Sequence, residues 1–232
     1  MVRLISIIPG SFKPPHKGHL SLLEKLIKRK KNSKIIIIIS KKSRPIDKRF
    51  LYMESQKKEV LVNALKDYSY DKENLTKKEI IHFIKKLIDK NIIKTITPEQ
   101  SLIIWKIYLR YLKKKYKTKD PTIIFPIIEF RITPTNNILA ETNKAIRDSF
   151  KEHFDEIVLM KSMKNANNGR FNFLEKRYGK YIKTTLFPDI KNIDATGMRD
   201  ALMLNNIINF IKYLPKDLNK NIKLKIYNLL NK

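Results

Sequence analysis

The sequence predicts an α/β fold, an open parallel sheet with a helical insertion and a C-terminal helical tail. Two observations lead there. Five consecutive isoleucines, Ile35–Ile39, are apolar on both faces, which suits a central parallel strand covered on both sides. They follow a β-rich stretch, Arg3–Ile8, and a segment from about His16 to Lys30 with Leu20, Leu22, Leu23, Leu26 and Ile27 at helical spacing. Strand, helix and strand within about 40 residues form a βαβ unit, and repeating that unit gives the open sheet.

The remaining elements follow in order. Arg3–Ile8 ends at Pro9-Gly10, and Ser11–Pro15 is a loop because the residue before each proline is held extended. Lys41–Arg49 is a basic loop, a helix is expected from about Asp47 to Leu65, and Asp67–Asn74 reads as a polar linker. Thr76-Lys77-Lys78-Glu79 is a capping box that opens a helix to about Asp89. Thr97-Pro98-Glu99-Gln100 is a second, with proline in the first helical position, opening a helix with Ile103, Ile104, Ile107, Tyr108 and Leu112. Strand patterning returns at Thr122–Ile128, Glu156–Met160 and Tyr181–Leu186. Helices are expected at Asn136–Phe150, at Gly169–Tyr178, from Thr196, and at Ile222–Leu230. The expected organisation is one domain over residues 1–214, with 67–120 a helical insertion within it, and a C-terminal helical extension over 215–232.

Composition excludes several kinds of chemistry. The 232 residues include no cysteine, so disulfides, thiolate zinc sites and thiol nucleophiles are ruled out. Four histidines, His16, His19, His82 and His153, make a polyhistidine metal site a poor expectation. No apolar run approaches the roughly 18–20 residues that cross a bilayer. The opening MVRLISIIPG fits a first strand better than a signal peptide. The expectation is a cytoplasmic protein without a membrane partner. Fifty Lys and Arg against 22 Asp and Glu give a net charge of +28. Such a field attracts polyanions, but the lysines are spread through the chain together with Ile and Asn, as a coding bias would leave them. Weak, non-specific nucleic-acid binding is expected, and self-association is left open.

One segment carries chemistry. The turn after the first strand reads Gly10-Ser11-Phe12-Lys13-Pro14-Pro15-His16-Lys17-Gly18-His19. Gly10 lets backbone approach a ligand, and the helix N-terminus that follows favours anions. His16 and His19, three apart, project on one face with Gly18 between them. Two imidazoles and amide donors around one spot suit a polyphosphate.

This stretch resembles the G-x-F-x-P-x-H-x-G-H signature of the cytidylyltransferase-like nucleotidyltransferase superfamily, which includes nicotinamide-mononucleotide and phosphopantetheine adenylyltransferases. The resemblance implies a Rossmann-like sheet and nucleotide contacts from Gly10, Ser11, Phe12 and Gly18, with His16 and His19 catalytic. A later motif, I-S-S-T-x-x-R in the family, is similar to Ile193-Asp194-Ala195-Thr196-Gly197-Met198-Arg199. It implies that Arg199 clamps a phosphate, with Thr196 and Gly197 at the nucleotide. Phe210–Pro215 is similar to a stretch that follows this helix in phosphopantetheine-type members. In the basic loop after the second strand, Lys42 is the choice for the acceptor's phosphate, with Lys41 and Arg44 near equals. Lys13 stands where many members have Asp.

The implied reaction is transfer of a nucleotidyl group, AMP from ATP in preference to CMP from CTP, to a small phosphorylated substrate. Pyrophosphate leaves, and Mg2+ accompanies the NTP. Trp105 reads as core, and His82 and His153 as incidental. Arg170 and Arg177 are further candidates for nucleotide phosphates. Lys161-Ser162-Met163-Lys164 is similar to a synthetase lysine loop, but in the wrong residue order. Two other classes stay open: a nucleic-acid-binding or RNA-modifying protein on the same fold, and a nucleotide-binding module without turnover.

Overall fold

The computed structural model describes residues 3–29, 32–70, 75–162, 169, 171–187 and 193–232. Its centre is a five-stranded sheet in the order β5-β2-β1-β6-β7, formed by β1 (Leu4–Gly10), β2 (Asn32–Ile39), β5 (Ile127–Ile132), β6 (Glu156–Ser162) and β7 (Ile182–Phe187). All four pairings are parallel.

The isoleucine run behaves as its pattern predicts. Ile35–Ile39 are all fully buried. Ile35, Ile37 and Ile39 join one apolar cluster, and Ile36 and Ile38 join another. Alternate side chains thus feed opposite faces of the sheet. β1 does the same, with Leu4 and Ile8 on one side and Ile5 and Ile7 on the other.

The first face is covered by α1 (Lys17–Ile27), α4 (Pro98–Lys119), α7 (Ala195–Met203), α8 (Ile207–Ile211) and α9 (Lys220–Asn231). The second is covered by α5 (Ile138–Lys151) and α6 (Asn172–Tyr178). The fold is therefore α/β and Rossmann-like. The chain adds β2 and β5 on one side of β1 and β6 and β7 on the other, so the strand order reverses at β1 and β6, and ligands of open α/β sheets bind beyond the strand ends at such a switch point.

A short antiparallel ribbon, β3 (Arg44–Pro45) with β4 (Thr95–Ile96), brackets α2 (Lys58–Lys66) and α3 (Lys77–Asp89). These two helices have a core of their own, with Phe50, Leu61, Leu65, Ile80, Ile84 and Ile93. Both capping boxes form: Thr76 with Glu79, and Thr97 with Gln100.

Two expectations shift. The helix expected from Asp47 begins only at Lys58. Asp47 instead caps a 3-10 turn, and Tyr52 sits in the left-handed region at φ 57°, which a continuous helix does not admit. The strand expected at Thr122–Ile128 starts at Ile127. Pro126 has no N–H for a ladder, so pairing with β2 begins just after it, and Ile123 and Phe125 pack against α4's side of the core instead. Among the described residues no helix is long and apolar enough to cross a membrane.

Candidate functional site

The loop from Gly10 to His16 leaves β1 at the switch point and enters α1. Phe12 lies at φ 50°, and its ring folds back over Gly10. A Cβ on Gly10 would stand 2.5–2.8 Å from that ring. The absence of a side chain on the glycine makes room for Phe12. The buried ring meets His19 edge-on at 4.9 Å and Trp105 at 5.4 Å. Trp105 is core, as read, but it borders the histidine pair: its ring centre is 6.3 Å from that of His19.

His16 is the N-cap of α1 and His19 its third residue, and the rings lie 3.8 Å apart, tilted by 31°. The Gly18 N–H donates to His16 Nδ1, and the His16 N–H donates to His19 Nδ1, both at 3.2 Å. With Nδ1 accepting, each neutral ring carries its proton on Nε2. Burial, with His16 beside it, holds His19 well below the usual histidine range. His19 therefore offers a neutral Nε2–H donor.

The helix terminus differs from expectation. Lys17 N–H donates to Tyr213 O at 2.8 Å, and the His19 and Leu20 N–H groups donate to His16 O. With the Gly18 bond, each of the first four amides of α1 has a partner inside the chain. An anion reaches them only by displacing one of these partners.

Arg199, 6% exposed, ties this loop to α7. Its Nη1 donates to Lys13 O at 2.7 Å and its Nη2 to Thr196 Oγ1 at 3.0 Å. Its Nε and Trp105 Nε1 are buried donors with no partner among the described residues. Thr196 does not cap the helix. Asp194 does, accepting from Gly197 N–H at 2.7 Å. Gly197 is required by packing, because the Tyr213 hydroxyl occupies the space of its Cβ. Phe210 and Leu214, from the stretch read as similar to one in the family, are buried behind it.

Lys13 is the residue whose role the sequence did not disclose. Its side chain is 1% exposed, and its ammonium donates to Ser40 O and to Lys42 O, the latter at 2.6 Å. It clamps the loop after β2 to the loop after β1. Burial, with the Arg44 charge nearby, lowers its pKa to about 7.

The Lys42 side chain is exposed, and Arg44 is half-buried. Lys41 Nζ turns away to Pro134 O at 3.2 Å. Arg177 sits over Phe173 and Tyr178 on α6. Lys161 pairs with Glu175 at 2.5 Å. Arg170, Met163 and Lys164 lie outside the described residues. Ser11 and Gly18 fall within the loop and first turn as expected.

A pH dependence follows. Lys13 titrates near 7 when folded and near 10.5 when unfolded, so between these values the unfolded chain binds more protons. Stability should therefore rise with pH across that window. His19 adds to the same trend: its folded pKa is depressed, so stability falls further as pH drops below 6.5. Melting temperature followed from about pH 6 to about pH 10 should climb, and Lys13→Met should flatten the climb. Equal slopes in the two proteins would refute this account of Lys13.

Strand order and the loop at the switch point define a Rossmann-like α/β protein. Within that class, the model of the cytidylyltransferase-like family matches residues 7–186. The chain belongs to the cytidylyltransferase-like family, which points to a nucleotidyltransferase. No curated protein matches the chain. The family match ends before Ile193–Arg199, so Thr196 and Arg199 rest on their geometry and the motif resemblance.

Proposed function

We propose that the protein transfers AMP from ATP to a small phosphorylated acceptor, releasing pyrophosphate. The observation that carries the reading is the close pair of rings His16 and His19, each with Nδ1 anchored by a backbone N–H, at the end of the central strand. An oxygen of the acceptor's phosphate attacks the α-phosphorus. The bond from that phosphorus to the bridging oxygen of the β-phosphate breaks, and pyrophosphate carries away the electron pair.

The attacking phosphate is already ionised near neutral pH, so the work is positioning and charge neutralisation. A neutral Nε2–H donor stabilises charge as it builds on the phosphate oxygens, with no ion to desolvate beforehand. Arg199 orders the loop through Lys13 O and aligns Thr196. Lys42 meets the acceptor's phosphate. Phe12, Trp105 and Tyr108 wall the pair from the interior and exclude water. Magnesium, implied by the resemblance, would be held by the triphosphate and would offset its charge. The described residues include no group of three or more His, Asp or Glu placed to hold it themselves.

The test is thermal stability with ATP, CTP, GTP and UTP, each with magnesium. A ligand at 100 times its dissociation constant should add about 2.7 kcal/mol. ATP should give the largest shift. A larger CTP shift would make the enzyme a cytidylyltransferase, and no shift with any NTP would reject the reading of Gly10–His19.

A further inference from the structure

A cavity opens beside the clamped loop. It lies between the β3–β4 ribbon and the segment leading to α2, and it measures about 170 Å³. Leu51, Met53 and Ile88 supply apolar lining, and Lys42, Arg44 and Lys85 stand around it. Glu54 is the carboxylate in that lining among the described residues, and it faces Lys85 at 4.0 Å.

Tyr52 projects here in an unusual way. It is 63% exposed, although large and aromatic, and its backbone sits at φ 57°, ψ 41°. A bulky residue rarely adopts this region without a reason, and such outliers gather at ligand sites. The Arg44 guanidinium lies over its ring, 5.3 Å from the centre. Arg44 also acts electrostatically on both Lys13 and Arg199. The cavity therefore adjoins the histidine loop, and Lys42 belongs to both through its carbonyl on Lys13.

We propose that this cavity is the acceptor's pocket and that the acceptor is a phosphate monoester whose organic part is a single small flat ring. The phosphate sits at Lys42 and Arg44, and the ring enters between Tyr52 and the apolar wall. Size decides the class. An engineered cavity of about 150 Å³ holds benzene, so this one takes one six-membered ring. A drug-sized ligand needs roughly 300–1,000 Å³. Charge decides the other half: a cationic margin with its carboxylate already facing a lysine selects an anion. The inference rests on the transferase reading, because that reading makes the ligand an acceptor. It makes Tyr52 and Arg44 specificity-determining residues supplied by the segment that follows the sheet's second strand.

Three probes separate the contributions: inorganic phosphate, glycerol 3-phosphate and phenyl phosphate, each titrated into the full chain without NTP and followed by NMR. Phenyl phosphate should bind about tenfold more tightly than inorganic phosphate, the worth of partly burying one ring. Glycerol 3-phosphate should bind like inorganic phosphate. Tyr52→Asn removes the ring yet tolerates the left-handed backbone, so the fold survives, and it should abolish the preference for phenyl phosphate. Arg44→Gln should weaken all three probes. The proposal is overturned if no probe binds, if glycerol 3-phosphate equals or exceeds phenyl phosphate, or if Tyr52→Asn keeps the preference. Ring-selective binding through Tyr52 and Arg44 together with no NTP-induced stabilisation would uphold the pocket and reject the transferase. An NTP shift without ring selectivity would do the reverse.

Discussion

His19→Ala should lower kcat by about 10²–10³, equivalent to roughly 2.7–4 kcal/mol of transition-state stabilisation, while changing NTP affinity far less. The imidazole is neutral when folded, so in the ground state it is a modest donor. Its value appears when charge builds on the oxygens it faces. His16→Ala should act alike, with an added cost in stability, because His16 Nδ1 caps α1. The double variant should lose less than the sum, since the rings are 3.8 Å apart and serve one group. Pyrophosphate release reports the rate. A folded double variant with wild-type turnover would end the mechanism proposed for the two histidines, though the transferase assignment would survive it.

Gly10→Ala should destabilise the protein by about 1–3 kcal/mol, the usual cost of overpacking, and should also cut turnover. The added methyl displaces the Phe12 ring, and that ring is the edge-on neighbour of His19. Misplacing a catalytic group by an ångström costs about 10² in rate. Gly179→Ala is the control, because a Cβ there meets nothing within 4 Å. Chemical denaturation and pyrophosphate release, measured on both variants, separate the two effects. If Gly10→Ala matches Gly179→Ala in stability and rate, the packing argument for Gly10 fails.

The sheet was legible because its signals are local. Ile35–Ile39 announce a doubly covered strand without help from elsewhere, and the histidine motif is one unbroken run. The capping boxes are legible for the same reason. What escaped depends on distant partners. Nothing near Lys13 says that its ammonium will be capped by carbonyls 27 and 29 residues away. The ribbon of Arg44–Pro45 with Thr95–Ile96 is too short to show a period. Tyr52 looked helical because its neighbours are good helix formers, but it takes a left-handed turn between Phe50 and Met53, both buried in a core built from α2 and α3. The N-terminus of α1 looked open because its cover, Tyr213 O, lies far along the chain.

That last tie has a consequence for how the protein comes into being. Lys17 is held by Tyr213, and Lys13 by Arg199, so the first loop is completed by residues nearly 200 positions later. The central strand likewise waits for β6 before its second edge is paired. On a ribosome emitting roughly 5–20 residues per second, most of the chain emerges before the loop has its partners. Early segments such as β1, α1 and β2 can associate, but the closing of the loop is a late, long-range event. Nascent chains arrested before Tyr213 leaves the exit tunnel should not retain a nucleotide, and those arrested well beyond it should.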